Sequence, residues 1–241
     1  MFETISCIVP ARNEAGHLSE LIGSILTVSQ ISEIVIVEGG SHDNTWEVAQ
    51  EIVALNSTKV KLVRQENKGK FDAVLKGSHY CSNDFLMIWD ADGTVPLTDT
   101  QELISYAIQN QEPVMGDRLR GTIHPGAMRP ANWVGNWFFA ILWAPILGKK
   151  PADLLCGTKI FPRKILVEMP NWLVDMDPYG DFAMIFNARL NNYPITSIPV
   201  NYTARSYGAT NISRWSGGLS LLKTSIKAYL HLIKRRLKIK N

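Results

Sequence analysis

Short apolar runs alternate with stretches of helical periodicity through the first half of the chain. Residues 5–9, 34–37, 60–63 and 85–89 are apolar runs with the length of buried strands. Between them, Leu18, Leu21, Ile22, Ile25 and Leu26 recur at helical intervals, Trp46, Val48, Ala49 and Ile52 mark a second helix, and residues 71–78 a third. This order, β-α-β-α-β-α-β, predicts a mainly parallel sheet with helices on both faces. Residues 103–108 and 182–190 predict further helices, and residues 114–118 and 195–200 further strands.

Two later segments are unusual. Residues 133–147 hold Trp133, Trp137, Phe138, Phe139, Ile141, Leu142, Trp143, Ile146 and Leu147. A bilayer-spanning helix needs about 20 apolar residues, so this segment reads either as a core helix or as an interfacial one, where tryptophan favours the headgroup level. Asn136 and Pro145 are expected to interrupt it. Near the C-terminus, Leu219, Leu222, Ile226, Leu230, Ile233 and Leu237 follow one another at steps of three or four, one apolar stripe on a long helix. Such a stripe suits packing on its own domain, a second subunit or lipid.

At 241 residues with 46% hydrophobic content, the chain can bury one sizeable core. The pattern divides it into a domain at 1–215 and a basic amphipathic helix at 216–241. The net charge of +3 hides an asymmetry: no acidic residue follows Asp181, while ten lysines and arginines do. Such a tail fits an anionic partner, above all a membrane surface. Nucleic acid is not expected, because the charges accompany an apolar helix stripe and the rest of the chain is net acidic. Cys7, Cys81 and Cys156 are widely spaced and suit a reduced, cytoplasmic protein. Residues 1–4 hold no basic leader signature, which agrees with that expectation.

The candidate chemistry gathers where the strands end. The run at 85–89 leads into Asp90-Ala91-Asp92-Gly93. Two hard carboxylates at a strand terminus suit Mg²⁺ or Mn²⁺ when phosphates complete the shell. Arg12, Asn13 and Glu14 follow the first strand, and residues 38–43 follow the second, with Ser41 or Asp43 placed to cap the next helix. Asp181 opens a late helix and is a candidate for its cap. In parallel sheets ligands bind at this edge.

Taken in order, Val9-Pro10-Ala11-Arg12-Asn13-Glu14, Glu38-Gly39-Gly40-Ser41-His42-Asp43-Asn44-Thr45, Asn67-Lys68-Gly69-Lys70, Asp90-Ala91-Asp92, Cys156-Gly157-Thr158-Lys159 and Arg205-Ser206-Tyr207-Gly208 resemble the family 2 glycosyltransferases of GT-A, Rossmann-like fold, among them the polyprenyl-phosphate sugar synthases. The resemblance covers residues 5–223. It implies a nucleotide-sugar donor, UDP- or GDP-linked, held by Pro10, Ala11, Arg12, Glu14, Glu38, Gly39, Ser41, Asp43, Lys70, Asp90, Ala91 and Asp92. It implies a divalent cation on Asp90 and Asp92, a positive charge from Arg205 on the leaving diphosphate, and Asp181 as general base. Arg118, Arg129, Cys156 and Gly157 match acceptor or phosphate positions less closely. Two departures stand out: Glu38 replaces the usual aspartate, and Gly180 precedes Asp181 where many members carry glutamate.

The expected activity is therefore inverting sugar transfer to a membrane-associated acceptor, a polyprenyl phosphate or lipid-linked glycan, by a peripherally attached enzyme. A hydroxyl acceptor on a soluble or cell-surface glycan is the alternative within the class. A non-catalytic nucleotide-sugar or lipid-binding partner is the alternative outside it.

Overall fold

The computed structural model describes residues 3–148, 153–177, 179–204 and 214–239, with side chains of the last helix described from 217 to 234. The elements run β1 (Ile5–Ala11), α1 (Leu18–Leu26), β2 (Ile31–Glu38), α2 (Thr45–Leu55), β3 (Val60–Arg64), α3 (Lys70–Tyr80), β4 (Phe85–Ile88), α4 (Leu97–Asn110), β5 (Val114–Asp117), α5 (Pro130–Leu147), β6 (Lys159–Pro162), α6 (Arg163–Val167), α7 (Asn171–Val174), α8 (Asp181–Leu190), β7 (Thr196–Pro199) and α9 (Arg214–Ile239).

The strands form one sheet in the order β3-β2-β1-β4-β6-β5-β7. Pairings among β1, β2, β3 and β4 are parallel, as the alternation predicts, and β5 pairs parallel with β7. The exception is β6, which runs antiparallel to both β4 and β5. Two apolar layers flank the sheet. One face packs Ile8, Val35, Leu86 and Ile88 against α3, α5 and α8; the other packs Cys7, Val9, Ile36 and Met87 against α1, α2 and α4. Neighbouring residues of β1 and β4 thus serve opposite layers, the period of two that strand geometry imposes.

Helix α5 differs from its sequence expectation. It runs unbroken through Asn136 and Pro145. Pro130 opens it at a position where the missing N–H has no helical partner to lose, and Pro145 lies in the last turn, close to its end at Gly148. Its Asn136, Phe139, Ala140, Trp143 and Ile146 are buried, while Trp133, Val134, Trp137, Phe138 and Ile141 are each about half exposed. The core reading therefore describes one face of the helix, and the other face lies in solvent.

Helix α9 packs on α5 and α8; of its apolar stripe, Leu222 is packed against the core, while four other members face outward. Its buried side chains include Leu221, Thr224, Ser225 and Ala228. Trp143 Nε1–H donates to Ser225 Oγ at 2.8 Å, and the Tyr229 hydroxyl donates to the Leu142 carbonyl at 2.5 Å. Small side chains let the helices approach. Leu219, Ile226, Leu230 and Ile233 are more than half exposed, and Lys223, Lys227 and Lys234 are exposed among them.

Candidate active site

The C-terminal ends of β1 and β2 carry two loops that are bonded to one another. Asn13, in the left-handed region at φ 57°, donates its N–H to Ser41 Oγ (3.0 Å) and accepts the His42 N–H on Oδ1 (2.8 Å). The Glu14 N–H donates to Thr45 Oγ1 (2.8 Å). Asp43 accepts the Thr45 N–H at the start of α2 and the Ala15 N–H from the facing loop. The cap expected of Ser41 or Asp43 is not formed: Asn44 holds the N-cap position without a side-chain cap bond, and Asp43, one residue earlier, accepts the first helical N–H. Burial raises the Asp43 pKa, but the Thr45 and Ala15 donors outweigh it and hold the carboxyl below its ordinary value.

Glu38 departs from its expected use. Its side chain is buried, with Oε1 accepting the Ser41 N–H at 2.5 Å and Arg64 Nε 3.9 Å from Oε2. As placed, it orders the loop. Arg64 in turn stacks over Trp46, 4.0 Å from the ring centroid. Pro10 and Ala11 sit in register with Val37 and Glu38, Gly39 donates its N–H to the Ala11 carbonyl, and Arg12 is exposed beside them.

The adjoining edge, beyond β4 and β6, gathers charge. Lys70 opens α3 and forms an ion pair with Asp90. Burial lowers the Lys70 pKa, yet Asp90, with Asp181 and Asp92 behind it, more than offsets this and leaves it raised. The three carboxylates thus lie within electrostatic reach of one ammonium. Burial likewise raises the Asp90 pKa, and Lys70, with Lys159 and Arg118 further off, brings it below its ordinary value. Asp92 is nearly buried and accepts the Thr94 N–H and hydroxyl on Oδ1 (3.3 and 2.9 Å).

Asp181 is the first residue of α8 but not its cap. Asp177 takes that role, accepting the Phe182 and Ala183 N–H groups on Oδ2 (2.8 and 3.0 Å) and the Tyr179 N–H on Oδ1 (3.0 Å). This frees the Asp181 carboxylate to face the site, where Oδ1 accepts from Lys159 Nζ at 2.5 Å. Gly180, at φ +83°, is the turn residue before the helix, and a Cβ there would overlap the Phe71 ring. That contact excludes a glutamate at position 180.

Lys159, the last residue of the Cys156-Gly157-Thr158-Lys159 motif, is a site residue to which sequence reasoning assigns no role. A lysine in a four-residue strand that is buried throughout was the available signal. Its ammonium also donates to the Cys156 carbonyl. Gly157 packs directly on the Lys70–Asp90 pair: a Cβ there would overlap the Asp90 carboxylate and come to 2.7 Å from Lys70 Nζ.

The remaining expected residues fall less centrally. Arg118 forms a bidentate pair with buried Asp153, Nε to Oδ2 at 2.6 Å and Nη2 to Oδ1 at 3.1 Å, and lies 4.9 Å from the Tyr202 ring centroid. Its guanidinium is thus engaged within the fold rather than presented to a phosphate. The Cys156 thiol is buried against Gly116, so this residue meets the site through its carbonyl. Arg129 precedes α5 and is exposed. Arg205 lies outside the described residues.

Among the described residues no group of three histidine, cysteine or acidic side chains is arranged to hold a metal ion. Asp90 and Asp92 supply two hard oxygen donors, which fits Mg²⁺ or Mn²⁺ bound through one or two carboxylates with substrate phosphates completing the shell.

A mainly parallel sheet, with bonded loops after β1 and β2 and with Asp90 and Asp92 beyond β4, gives the chain a GT-A architecture. Residues 6–168 match the family model described as Glycosyl transferase family 2, and the chain belongs to that family. It is 26% identical over 213 residues to Glycosyltransferase AglJ of Haloferax volcanii, covering 87% of this chain and 67% of that protein. It is 22% identical over 229 residues to the dolichyl-phosphate hexose transferase of the same organism, covering 95% of each. Glucosyl-3-phosphoglycerate synthase from Mycobacterium tuberculosis, solved in complex with Mn²⁺, UDP and phosphoglyceric acid, shares the fold with a TM-score of 0.67 at 20% identity, over 92% of this chain and 78% of that one.

Proposed function

We propose that this chain transfers a sugar, with inversion at the anomeric carbon, from a UDP- or GDP-linked donor to a membrane-associated acceptor, a polyprenyl phosphate or a lipid-linked glycan. The acceptor reading is carried by one observation: α5 and α9, packed together, each leave an apolar row in solvent, tryptophan-rich on α5 and interleaved with lysines on α9. That mixture suits an anionic lipid interface. The similarity to a dolichyl-phosphate hexose transferase supports it. No described helix is long and apolar enough to cross a membrane, so attachment is peripheral in this proposal, at a cytoplasmic surface.

In the reaction, the acceptor oxygen forms its bond to the anomeric carbon as the bond to the diphosphate oxygen breaks. The bonded loops after β1 and β2 hold the nucleoside, with Arg12, Gly39, Ser41 and Asp43 at their surface. Asp90 and Asp92 would hold a divalent cation on the donor diphosphate, where it supplies charge neutralisation for the leaving group. Lys70 adds a fixed positive charge on the same edge, and Arg205 is assigned the same task from its motif. A phosphate acceptor arrives anionic and needs no base. For a hydroxyl acceptor, Asp181 takes the proton: Lys159 holds its Oδ1, and Oδ2 has no hydrogen-bond partner among the described residues. That oxygen, unbonded among the described residues, is what favours a hydroxyl acceptor as the second reading.

Donor turnover is measured with Mn²⁺ across UDP- and GDP-sugars, with and without a short polyprenyl phosphate. Transfer to the lipid phosphate that survives Asp181→Asn supports the first reading. Donor hydrolysis without lipid transfer, abolished by Asp181→Asn, supports the second. Full metal-dependent activity in Asp92→Ala would remove the metal assignment.

A further inference from the structure

Asp90 is assigned to a cation, yet its carboxylate is already occupied by the Lys70 ammonium. The pair is fitted into the fold. Gly157 approaches it so closely that any side chain at that position would displace the carboxylate. Lys70 is also the first residue of α3, preceded by Gly69 at φ 102°, so its backbone is set by the turn that starts the helix. The two side chains are each about a third exposed, so the pair is reachable from solvent.

We propose that Lys70 is a place-holder for the divalent cation: it neutralises Asp90 in the resting site and passes to the donor diphosphate when cation and nucleotide bind together. The inference rests on the donor-and-metal reading above. An ammonium and a dication on one carboxylate repel each other, the more so where solvent is partly excluded. The cation alone must therefore expel Lys70 while gaining only two protein carboxylates. The nucleotide diphosphate changes this balance, because it completes the metal shell and gives the displaced ammonium an anionic partner. Lys70 thereby couples the two ligands, so that the metal binds weakly until the donor arrives. Such coupling is reciprocal, each ligand strengthening the other by the same factor.

The test is Mn²⁺ binding by electron paramagnetic resonance, with UDP as the nucleotide probe, on the full chain and on Lys70→Met and Lys70→Gln. In the wild type, UDP should tighten Mn²⁺ binding. In both variants Mn²⁺ alone should bind at least about fivefold tighter than in the wild type, and the tightening by UDP should shrink by a similar factor, within the ordinary range of coupling between sites. Lys70→Gln keeps an N–H donor for Asp90 and serves if Lys70→Met fails to fold. Mn²⁺ affinity unchanged or weakened in a folded variant would overturn the proposal and leave Lys70 as a static part of the loop. A wild type that binds neither Mn²⁺ nor UDP would instead overturn the donor-and-metal reading on which it stands.

Discussion

Lys159 Nζ lies 2.5 Å from Asp181 Oδ1, and the lysine has no exposed surface. A charged side chain in a buried strand has no water to stabilise it, so the carboxylate partner is required. The contact ties β6 to the start of α8, two elements that sequence order separates by a pair of short helices.

Breaking that pair from the lysine side should be costly. Lys159→Met leaves Asp181 without its counter-ion and should destabilise the fold by about 3 kcal/mol. Lys159→Met with Asp181→Asn removes both charges and should recover much of that loss. Urea midpoints of the two single variants and the double variant check this; strictly additive losses would argue against direct coupling.

The exposed rows on α5 and α9 should bind lipid without supporting the core. Trp133→Ser and Ile226→Ser should each leave stability within about 0.5–1 kcal/mol of the wild type, since both residues are about half exposed. Both should weaken sedimentation with anionic vesicles. Binding should also fall with salt, each nearby lysine adding about 1 kcal/mol at low ionic strength. Wild-type protein that stays in the supernatant at low salt would remove the lipid surface.

Stability should fall in acid through Glu33. Its Oε2 accepts from Ser6 Oγ–H (2.6 Å) and the Ser82 N–H (2.8 Å), and Oε1 meets Lys61 Nζ at 2.5 Å. Burial raises its pKa, but Lys61, Ser6 and Ser82 outweigh this and hold it below the ordinary value. A depressed folded-state pKa contributes stability above the unfolded value, about 4.3, and loses it as pH falls through the folded value. Glu33→Gln should therefore lower stability by about 1–3 kcal/mol at pH 7. The difference from wild type should shrink below pH about 4. Urea midpoints at both pH values decide.

The cysteines should be inert in the native protein. Burial pushes the Cys81 thiol up to about 12, the Cys156 thiol up to about 11, and Cys7 well above its ordinary value. The thiolate is the reactive form. Ellman's reagent at pH 8 should find no thiol in native protein and all three in denaturant.

Much of the fold was legible because its signal is local. The β-branched run of β2 and the helical spacing of Leu18, Leu21, Ile22 and Ile25 each specify one element in one window. The Asp90-Ala91-Asp92 turn was legible for the same reason, being a strand terminus with two carboxylates. The antiparallel run of β6 was not, because strand direction depends on where the chain returns after α5. The turn chemistry at α8 was misread: Asp177 caps the helix from four residues ahead of Asp181, across a bend made possible by Gly180. The α9 stripe shows the limit most clearly. Its periodicity is correct, yet the buried face centres on Leu221, Thr224, Ser225 and Ala228, with small groups where the helix meets Trp143.

By itself, the sequence determined the parallel core of the sheet, the edge at which the loops and carboxylates gather, and the family to which the chain belongs. Those follow from hydrophobic period and motif order, which the chain carries residue by residue. Only the tertiary structure decided which charge faces which. Lys70 meets Asp90, Lys159 meets Asp181, and Arg118 turns to Asp153, through separations of 20, 22 and 35 residues. Ion pairs depend on distances of a few ångströms and on loss of solvent, and both arise only when the strands are brought side by side.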